Sequence, residues 1–484
     1  MFLGLDLGTS GLRGLLIDAA QRTVAVAEAS YPTARPAPGH SEQDPRDWIA
    51  ACRTVIAALK AEAPTEMAAL RGIGCSGHMH GAVLLGADDA EQRPCIMWND
   101  TRSADQAARL DAAADVRALS GNIVFPGFTA PKLMWVAEHE PEILARTARV
   151  VLPKDYLTLW LTGAHATDMS DASGTSWLDV GARDWSDRLL AASGMTRDQM
   201  PALHEGTVPV GTIRPGLADE LGLPRGVVVA AGAADNAAAA CGIGALEHGD
   251  GFVSLGTSGV LLAARDRFAP KPESAVHTFC HAVPGRWYQM GVILAATDSL
   301  NWLARNLQAD PAALTAALGD RIGPPGRLRF LPYLSGERTP HNDSAIRGAF
   351  IGLDIGMGHA ELTHAVLEGV GYALRDSLDA LRDTGAALKR VTAIGGGSAS
   401  RYWLELLATL LDLPIDRPAR GEFGAAMGAA RLATCAATGA APEAVMIRPP
   451  IAETIAPRDD LRAEYAAGHA AYRNLYPAIR ALQS

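Results

Sequence analysis

The chain has little of what marks membrane, secreted or nucleic-acid-binding proteins. No apolar stretch is long enough to span a bilayer. The run from Val227 to Ala240 is broken by Asp235 and Asn236. Its six cysteines (Cys52, Cys75, Cys95, Cys241, Cys280 and Cys435) are scattered, and no pair has zinc or redox spacing. That predicts reduced thiols and a cytoplasmic protein. The N-terminus opens directly on a strand-like run without a basic region, apolar core or cleavage site, so no signal peptide is expected. Clustered Lys and Arg are also missing. With 43 basic against 53 acidic residues the net charge is −10, which argues against a nucleic-acid partner and for a small-molecule enzyme. No Pro/Ser-rich linker divides the 484 residues, although the length allows two or three domains.

What is present is an exact repeat. Leu7-Gly8-Thr9-Ser10-Gly11 returns as Leu255-Gly256-Thr257-Ser258-Gly259, half a chain later. Each copy sits between two apolar strand-like runs. Glycine lets the backbone approach a ligand closely, and successive N–H groups in such a turn make an anion nest. Either copy alone is better read as an ordinary Gly-containing hairpin, because short Gly motifs are common. The exact repeat in matching contexts favours two phosphate-type turns in two related halves. Asp6 precedes the first turn, and a carboxylate beside phosphates implies Mg²⁺ between them, held through water. Ser254 stands at the matching place in the second half, so only the first half would hold the metal.

Strands are expected over 2–7, 12–17, 23–30, 71–75, 82–85 and 226–231, and, after the second start, over 251–255, 260–263 and 390–394. Asp44-Pro45 reads as an N-cap and first helical residue for a helix to about Ala61. Further helices are expected near 295–306, 358–382, 401–411 and 424–438. The pattern predicts two related α/β domains, 1–244 and 245–484, with a cleft between them.

Four segments could carry chemistry. Asp235 follows an apolar strand and precedes a small-residue helix, the place where α/β folds present groups to a cleft. It fits both a helix cap and a carboxylate accepting a hydroxyl proton in phosphoryl transfer. His78-Met79-His80 fits a metal pair, a polar contact to substrate, or a structural histidine. Trp98 to Arg102 suits a polyhydroxylated ligand, or a turn in which Asp100 caps the helix 103–110. Gly395-Gly396-Gly397-Ser398 ends a strand and could seat part of a nucleotide.

These residues resemble the FGGY family of carbohydrate kinases, on the duplicated actin-like ATPase (ribonuclease H-like) fold. One family signature can be read over Gly127–His139. The other starts at Gly348–Leu353 and closes with Glu361-Leu362 and Ala365–Glu368. Within the family the nearest resemblance is to bacterial members acting on D-xylulose. It is carried by 41–45, 77–82, 152–157, 168–172 and 333–341, and it is weakest after about Gly439. The resemblance implies ATP-dependent phosphorylation of D-xylulose to D-xylulose 5-phosphate, with ATP and Mg²⁺, in a cytoplasmic protein and possible homodimer. It places the proton acceptor on Asp235, an activity-critical carboxylate on Asp6, and sugar contacts on Met79, His80 and Asn236. Trp98 and Arg102 join the sugar side. ATP phosphates would lie against Thr9, Ser10 and Arg13 and against Gly256 and Thr257. The adenosine would lie near Gly396, Gly397 and Ser400. Sugar binding and the base fall in 1–244, nucleotide binding in 245–484. Two alternatives stay open: a relative acting on ribulose, gluconate, 1-deoxy-D-xylulose or glycerol, and an actin-fold ATPase that uses no sugar.

Overall fold

The computed structural model describes residues 1–113, 115–419 and 424–483. Two short turns, one containing Gly8 and one closed by Asp18, fold the first thirty residues into an antiparallel meander of β1 (Phe2–Leu7), β2 (Gly11–Ile17) and β3 (Thr23–Ser30). Helix α1 (Pro45–Glu62) starts where expected. Asp44 accepts a hydrogen bond from the Arg46 N–H, and Pro45 fills the first helical position, where no N–H is needed. Its apolar face, including Trp48, Val55 and Leu59, covers the sheet. Strand β4 (Gly72–Gly77) then runs parallel to β1. Strand β5 (Pro209–Thr212) lies at the edge, antiparallel to β6 (Val228–Ala230), which pairs parallel with β4. The last strand is shorter than expected because Gly226 and Gly232 bound it in left-handed turns. Helix α2 (Asp235–Ile243) follows.

The second half repeats the plan. Its sheet holds β7 (Gly251–Leu255), β8 (Gly259–Arg265), β9 (His277–Cys280), β10 (Trp287–Ile293), β11 (Val391–Ile394), β12 (Ile415–Pro418) and β13 (Ile451–Ile455). Its helices include α3 (Thr297–Leu307), α4 (His359–Asp383), α5 (Arg401–Leu411) and α6 (Ala425–Thr438). The spatial orders are β3–β2–β1–β4–β6–β5 and β9–β10–β8–β7–β11–β12–β13. Reading from β3 and from β10, the pairings run antiparallel, antiparallel, parallel, parallel, antiparallel in both sheets. The five-residue repeat therefore marks the same hairpin in each copy: β1–β2 and β7–β8.

One element breaks the simple division. Helix α6 belongs by sequence to the second half but lies on the first sheet. A Cβ on Gly4 would fall 1.9 Å from the Ala426 carbonyl oxygen, and one on Gly74 would fall 2.0 Å from that of Ala429. Only glycine admits the helix backbone this closely. Helix α6 also crosses α2, where a Cβ on Gly428 would fall 1.8 Å from the Ala238 oxygen. The buried Arg431 closes this crossing by donating to the carbonyls of Cys241 and Gly242, both at 2.8 Å, at the end of α2. Apolar residues of α2 pack with Phe252, Leu262, Tyr288 and Leu432 in one core shared by both halves.

Candidate active site

Strand register assembles the first side of the cleft. Asp6 on β1 lies opposite Arg13 on β2 and beside Ser76 on β4. Arg13 lies opposite Glu28 on β3 and forms an ion pair with it. Glu28, Arg13, Asp6 and Ser76 thus form one row across the sheet. Ser76 Oγ donates to Asp6 Oδ1 at 2.7 Å. The two-residue strand Ala233–Ala234 pairs with Ser76 and Gly77, so Asp235 emerges at the end of this row. Burial pushes the Asp6 carboxyl up, against the opposing pull of Ser76 and Arg13. Burial, and then the charge of Asp6, push Asp235 up to about 7. Asp235 is the first residue of α2 rather than its N-cap. Its Oδ1 accepts from the Asn236 N–H at 2.6 Å and from Asn236 Nδ2 at 2.9 Å.

The two repeated turns are held from behind. In the first, the Gly8 N–H donates to the Gly11 carbonyl at 2.9 Å, and Tyr31 donates its hydroxyl to the Gly8 carbonyl. The Thr9 carbonyl accepts from Gln43 Nε2 at 2.7 Å, and Thr9 Oγ1 from Trp98 Nε1 at 3.0 Å. A cavity of about 420 Å³ opens against Ser10, Arg13 and Glu28. In the second turn, Gly256 O accepts the Thr297 N–H at 2.9 Å and Thr297 Oγ1 at 2.7 Å, while Thr257 O accepts the Ala296 N–H at 2.8 Å. A trans peptide directs its N–H opposite to its C=O. The amides of Thr257 and Ser258 therefore point away from α3, as an anion nest requires. Gly395 sits at φ +83°, with Leu255 backbone where its Cβ would be, while the space beside Gly396 is open. Gly397 packs on Leu255 and Trp403. Ser400 caps α5, its Oγ accepting from the Trp403 N–H at 3.3 Å.

The two histidines of the 78–80 segment part ways. His78 is buried edge-on against Trp48, with both ring nitrogens lacking a hydrogen-bond partner. His80 adopts φ +71°. Its ring stacks on Phe128 with centroids 4.5 Å apart, and its Nδ1 lies 2.7 Å from the Gly174 carbonyl. A carbonyl only accepts, so Nδ1 carries the proton and Nε2 is an acceptor. Burial holds this ring neutral, with its pKa near about 3. The His80 carbonyl is clamped by Thr129 Oγ1 at 3.1 Å and Lys132 Nζ at 2.8 Å. Met79 Sδ meets the Tyr288 hydroxyl of the second half at 3.9 Å. Among the described residues no group of three His, Cys, Asp or Glu side chains could hold a metal ion, so the paired-histidine metal reading lacks a third ligand.

Trp98 and Arg102 also differ. Trp98 is 36% exposed and faces the first turn through its Thr9 bond. The Arg102 guanidinium is turned inward, paired with Asp100 at 2.7 Å and Glu42 at 2.8 Å and lying over the Trp135 ring. Asp100 also accepts from the Ser41 N–H at 2.6 Å. It does not cap the following helix, which begins at Ala104 after Ser103 and has no side-chain cap. Arg102 therefore shapes the wall behind the loop.

Two groups went unrecognised in the sequence. One is a buried knot near Asp235. Lys154 Nζ pairs with Asp155, with Asp168 at 3.0 Å and with Asp171 at 3.6 Å. Ser170 Oγ, in the short helix Met169–Ala172 that also carries Asp171, accepts from the Ala234 N–H at 3.1 Å, fixing the residue before Asp235. The other is Arg338, beside His277 and Phe125. Both lie in stretches that carried the family resemblance, which was the available signal.

Two matching sheets that present repeated turns across one cleft define a two-domain actin-like ATPase fold. The chain belongs to the FGGY family of carbohydrate kinases, whose N-terminal domain model matches residues 1–242 and whose C-terminal domain model matches residues 251–437. It is 44% identical to a xylulose kinase from Klebsiella pneumoniae over the whole of both chains. It is similar to a crystal structure described as a xyloylose kinase from Brucella ovis, 56% identical with 99% of each chain covered and a TM-score of 0.97. It is also similar to the xylulose kinase from Rhodospirillum rubrum, 30% identical, with 100% of this chain and 99% of that one covered and a TM-score of 0.91. The protein is a carbohydrate kinase, with ATP as its phosphoryl donor.

Proposed function

We propose that the protein phosphorylates the terminal hydroxyl of D-xylulose from ATP, giving D-xylulose 5-phosphate, with Asp235 as the base. The observation that carries this reading is the Asp235 carboxyl, held near pKa 7 at the end of the Glu28–Arg13–Asp6–Ser76 row. A general base works best when its pKa is near the working pH. The 5-hydroxyl passes its proton to Asp235 as its oxygen bonds to the γ-phosphorus and the bond to the β-phosphate oxygen breaks. In a largely dissociative transfer, the protein's task is positioning and charge stabilisation. Thr9, Ser10 and Arg13 on one side, and the amides at Gly256 and Thr257 on the other, would meet the phosphates. Gly396, Gly397 and Ser400 would border the adenosine, with the Ser400 hydroxyl engaged in its cap and only its edge available. On the sugar side, His80 Nε2 would accept a hydrogen bond from a sugar hydroxyl, and Met79, Asn236 and Trp98 would complete the wall.

Asp6 suits Mg²⁺. It is a hard oxygen donor whose Oδ1 is taken by Ser76, it faces a second buried carboxylate, and among the described residues neither carboxylate is in an ion pair. Asp6 would hold the ion through water, and the ion would neutralise phosphate charge. Residues 1–244 are read as the sugar- and metal-bearing domain and 245–484 as the nucleotide-bearing one. All six cysteines are buried free thiols, and among the described residues no helix is long and apolar enough to cross a membrane. Both facts support a cytoplasmic enzyme. A homodimer remains the expectation from family resemblance. The test is ADP release across D-xylulose, ribulose, gluconate, 1-deoxy-D-xylulose and glycerol. D-xylulose should give the highest kcat/KM. Preference for another substrate, or ADP release without any sugar, would overturn the reading.

A further inference from the structure

Arg338 comes from the loop after the strand Arg329–Leu331, and its backbone is clamped to the second sheet. The Arg338 N–H donates to Glu337 Oε1 at 2.7 Å, an atom that also accepts from the Leu294 N–H at 3.1 Å. Thr339 exchanges hydrogen bonds with Val292 at 3.0 and 3.1 Å. From this fixed base the side chain reaches over the first half. Its guanidinium carbon lies 4.7 Å from the centre of the Phe125 ring, and Nη1 is 3.4 Å from His277 Nε2.

Neighbouring bonds settle the direction of that last contact. Asn122 Oδ1 accepts from the Thr278 N–H at 3.0 Å, and Asn122 Nδ2 donates to the Thr278 and Ser120 carbonyls. The amide oxygen is therefore the atom facing His277 Nδ1 at 3.3 Å, so Nδ1 carries the proton and Nε2 accepts from Arg338. Among the described residues, this bond to a neutral ring is the one hydrogen bond that holds the guanidinium. Among the described residues, no carboxylate lies within ion-pair reach of it. The other cations near the sugar side are committed: Arg102 to Asp100 and Glu42, and Lys132 to the His80 carbonyl. Phe128 is packed against both His80 and His277, at 4.5 and 5.9 Å between ring centres, which puts Arg338 on the His80 side of the pocket.

The substrate class supplies what such a donor needs. A 2-ketopentose closes its furanose ring through its own 5-oxygen, so a 5-hydroxyl exists only in the open-chain form. That form has a ketone oxygen at C2, which can only accept. The pocket is otherwise rich in acceptors, Asp235 and His80 Nε2, which suit hydroxyl protons. Tyr288 lies within electrostatic reach of Asp235 and touches Met79, so these two groups link the base to the His80 end of the pocket.

We infer that Arg338 is a specificity-determining residue of the sugar site: its guanidinium, carried across the cleft by the second half, donates to the C2 oxygen of the open-chain ketose whose terminal hydroxyl meets Asp235. This rests on the ketose-kinase reading above. The test pairs a change in the protein with a change in the sugar. Wild type and Arg338→Met are assayed for kcat/KM on D-xylulose and on the 2-deoxypentitol of the same configuration, which lacks oxygen at C2. A charged hydrogen bond predicts about a tenfold or greater loss from either change alone. The second change should then add little, giving a coupling of about tenfold or more between the two. The ratio of substrates within one sample is independent of how much of that sample is folded. Arg338→Lys, which keeps a cation and an aliphatic stem over Phe125, should show coupling in the same direction. Losses that simply multiply in both variants would overturn the inference. Failure of wild type on D-xylulose would instead overturn the ketose-kinase reading, so the two failures are distinct.

Discussion

The raised carboxyl of Asp235 makes a prediction with two independent readouts. As a base it works ionised. With its pKa at about 7, only about one molecule in ten is competent at pH 6, and the fraction falls about tenfold per further unit. The kcat/KM for sugar, measured by ADP release from about pH 5 to about pH 9, should therefore climb with unit slope and level off near neutrality. Asp6→Asn removes the second cause of the shift, so whatever activity remains should have its acid limb moved to lower pH. Asp235→Ala should lose nearly all sugar phosphorylation and keep ATP affinity within a few fold.

The second readout is stability. A carboxyl whose folded pKa lies above its unfolded value of 3.8 destabilises the fold once it ionises. The cost is absent below about pH 4, grows up to about pH 7 and is constant above. The shift of about 3 units sets an upper limit of about 4 kcal/mol, and because Asp235 is only partly buried in the fold, solvent screening reduces it to about 1–2 kcal/mol. Asp235→Asn should therefore melt higher than wild type at about pH 8, with almost no difference near pH 4. A flat acid limb together with an unchanged melting temperature at pH 8 would refute the assignment of a perturbed base.

Three further expectations follow from packing and hydrogen bonding. Gly428→Ala drives a methyl group into the Ala238 carbonyl at the crossing of α2 and α6 and should cost at least about 1–3 kcal/mol by calorimetry. Lys154→Met leaves Asp155, Asp168 and Asp171 buried without their cation and should cost about 3–5 kcal/mol in a urea titration, and unchanged stability would show the knot to be neutral. Trp98→Phe keeps an aromatic ring on the sugar wall but removes the bond to Thr9 Oγ1, and should raise the KM for ATP about three- to tenfold with kcat held, whereas an unchanged KM for ATP would show that bond to be idle.

Much of this architecture was legible because local chemistry and global fold agree. Asp44-Pro45 starts α1 by supplying a cap and a residue that needs no N–H, and β1, β3 and β7 end where they were expected. The two related halves could be read from five repeated residues because the same hairpin opens each sheet. Long-range pairing was less legible. Asp100 offers the same pattern whether it caps a helix, meets a ligand or pairs with Arg102, and only the fold brings Ser41 to Asp100 and Glu42 to Arg102. Gly4 and Gly74 read as unremarkable strand residues until α6, from the far end of the chain, lies on them. Arg338 is separated from Phe125 by more than two hundred residues, so no local spacing could join them.

The crossing of α2 and α6 makes the two lobes unequal to two domains in the folding sense. The first sheet borrows its cover from the last quarter of the chain, and the second borrows part of its core from the helix that carries Asp235. Each lobe is unfinished until the other has been made. The molecule should therefore melt as one cooperative unit although it is built as two, and the proposed base stands at the head of one of the two helices that join them.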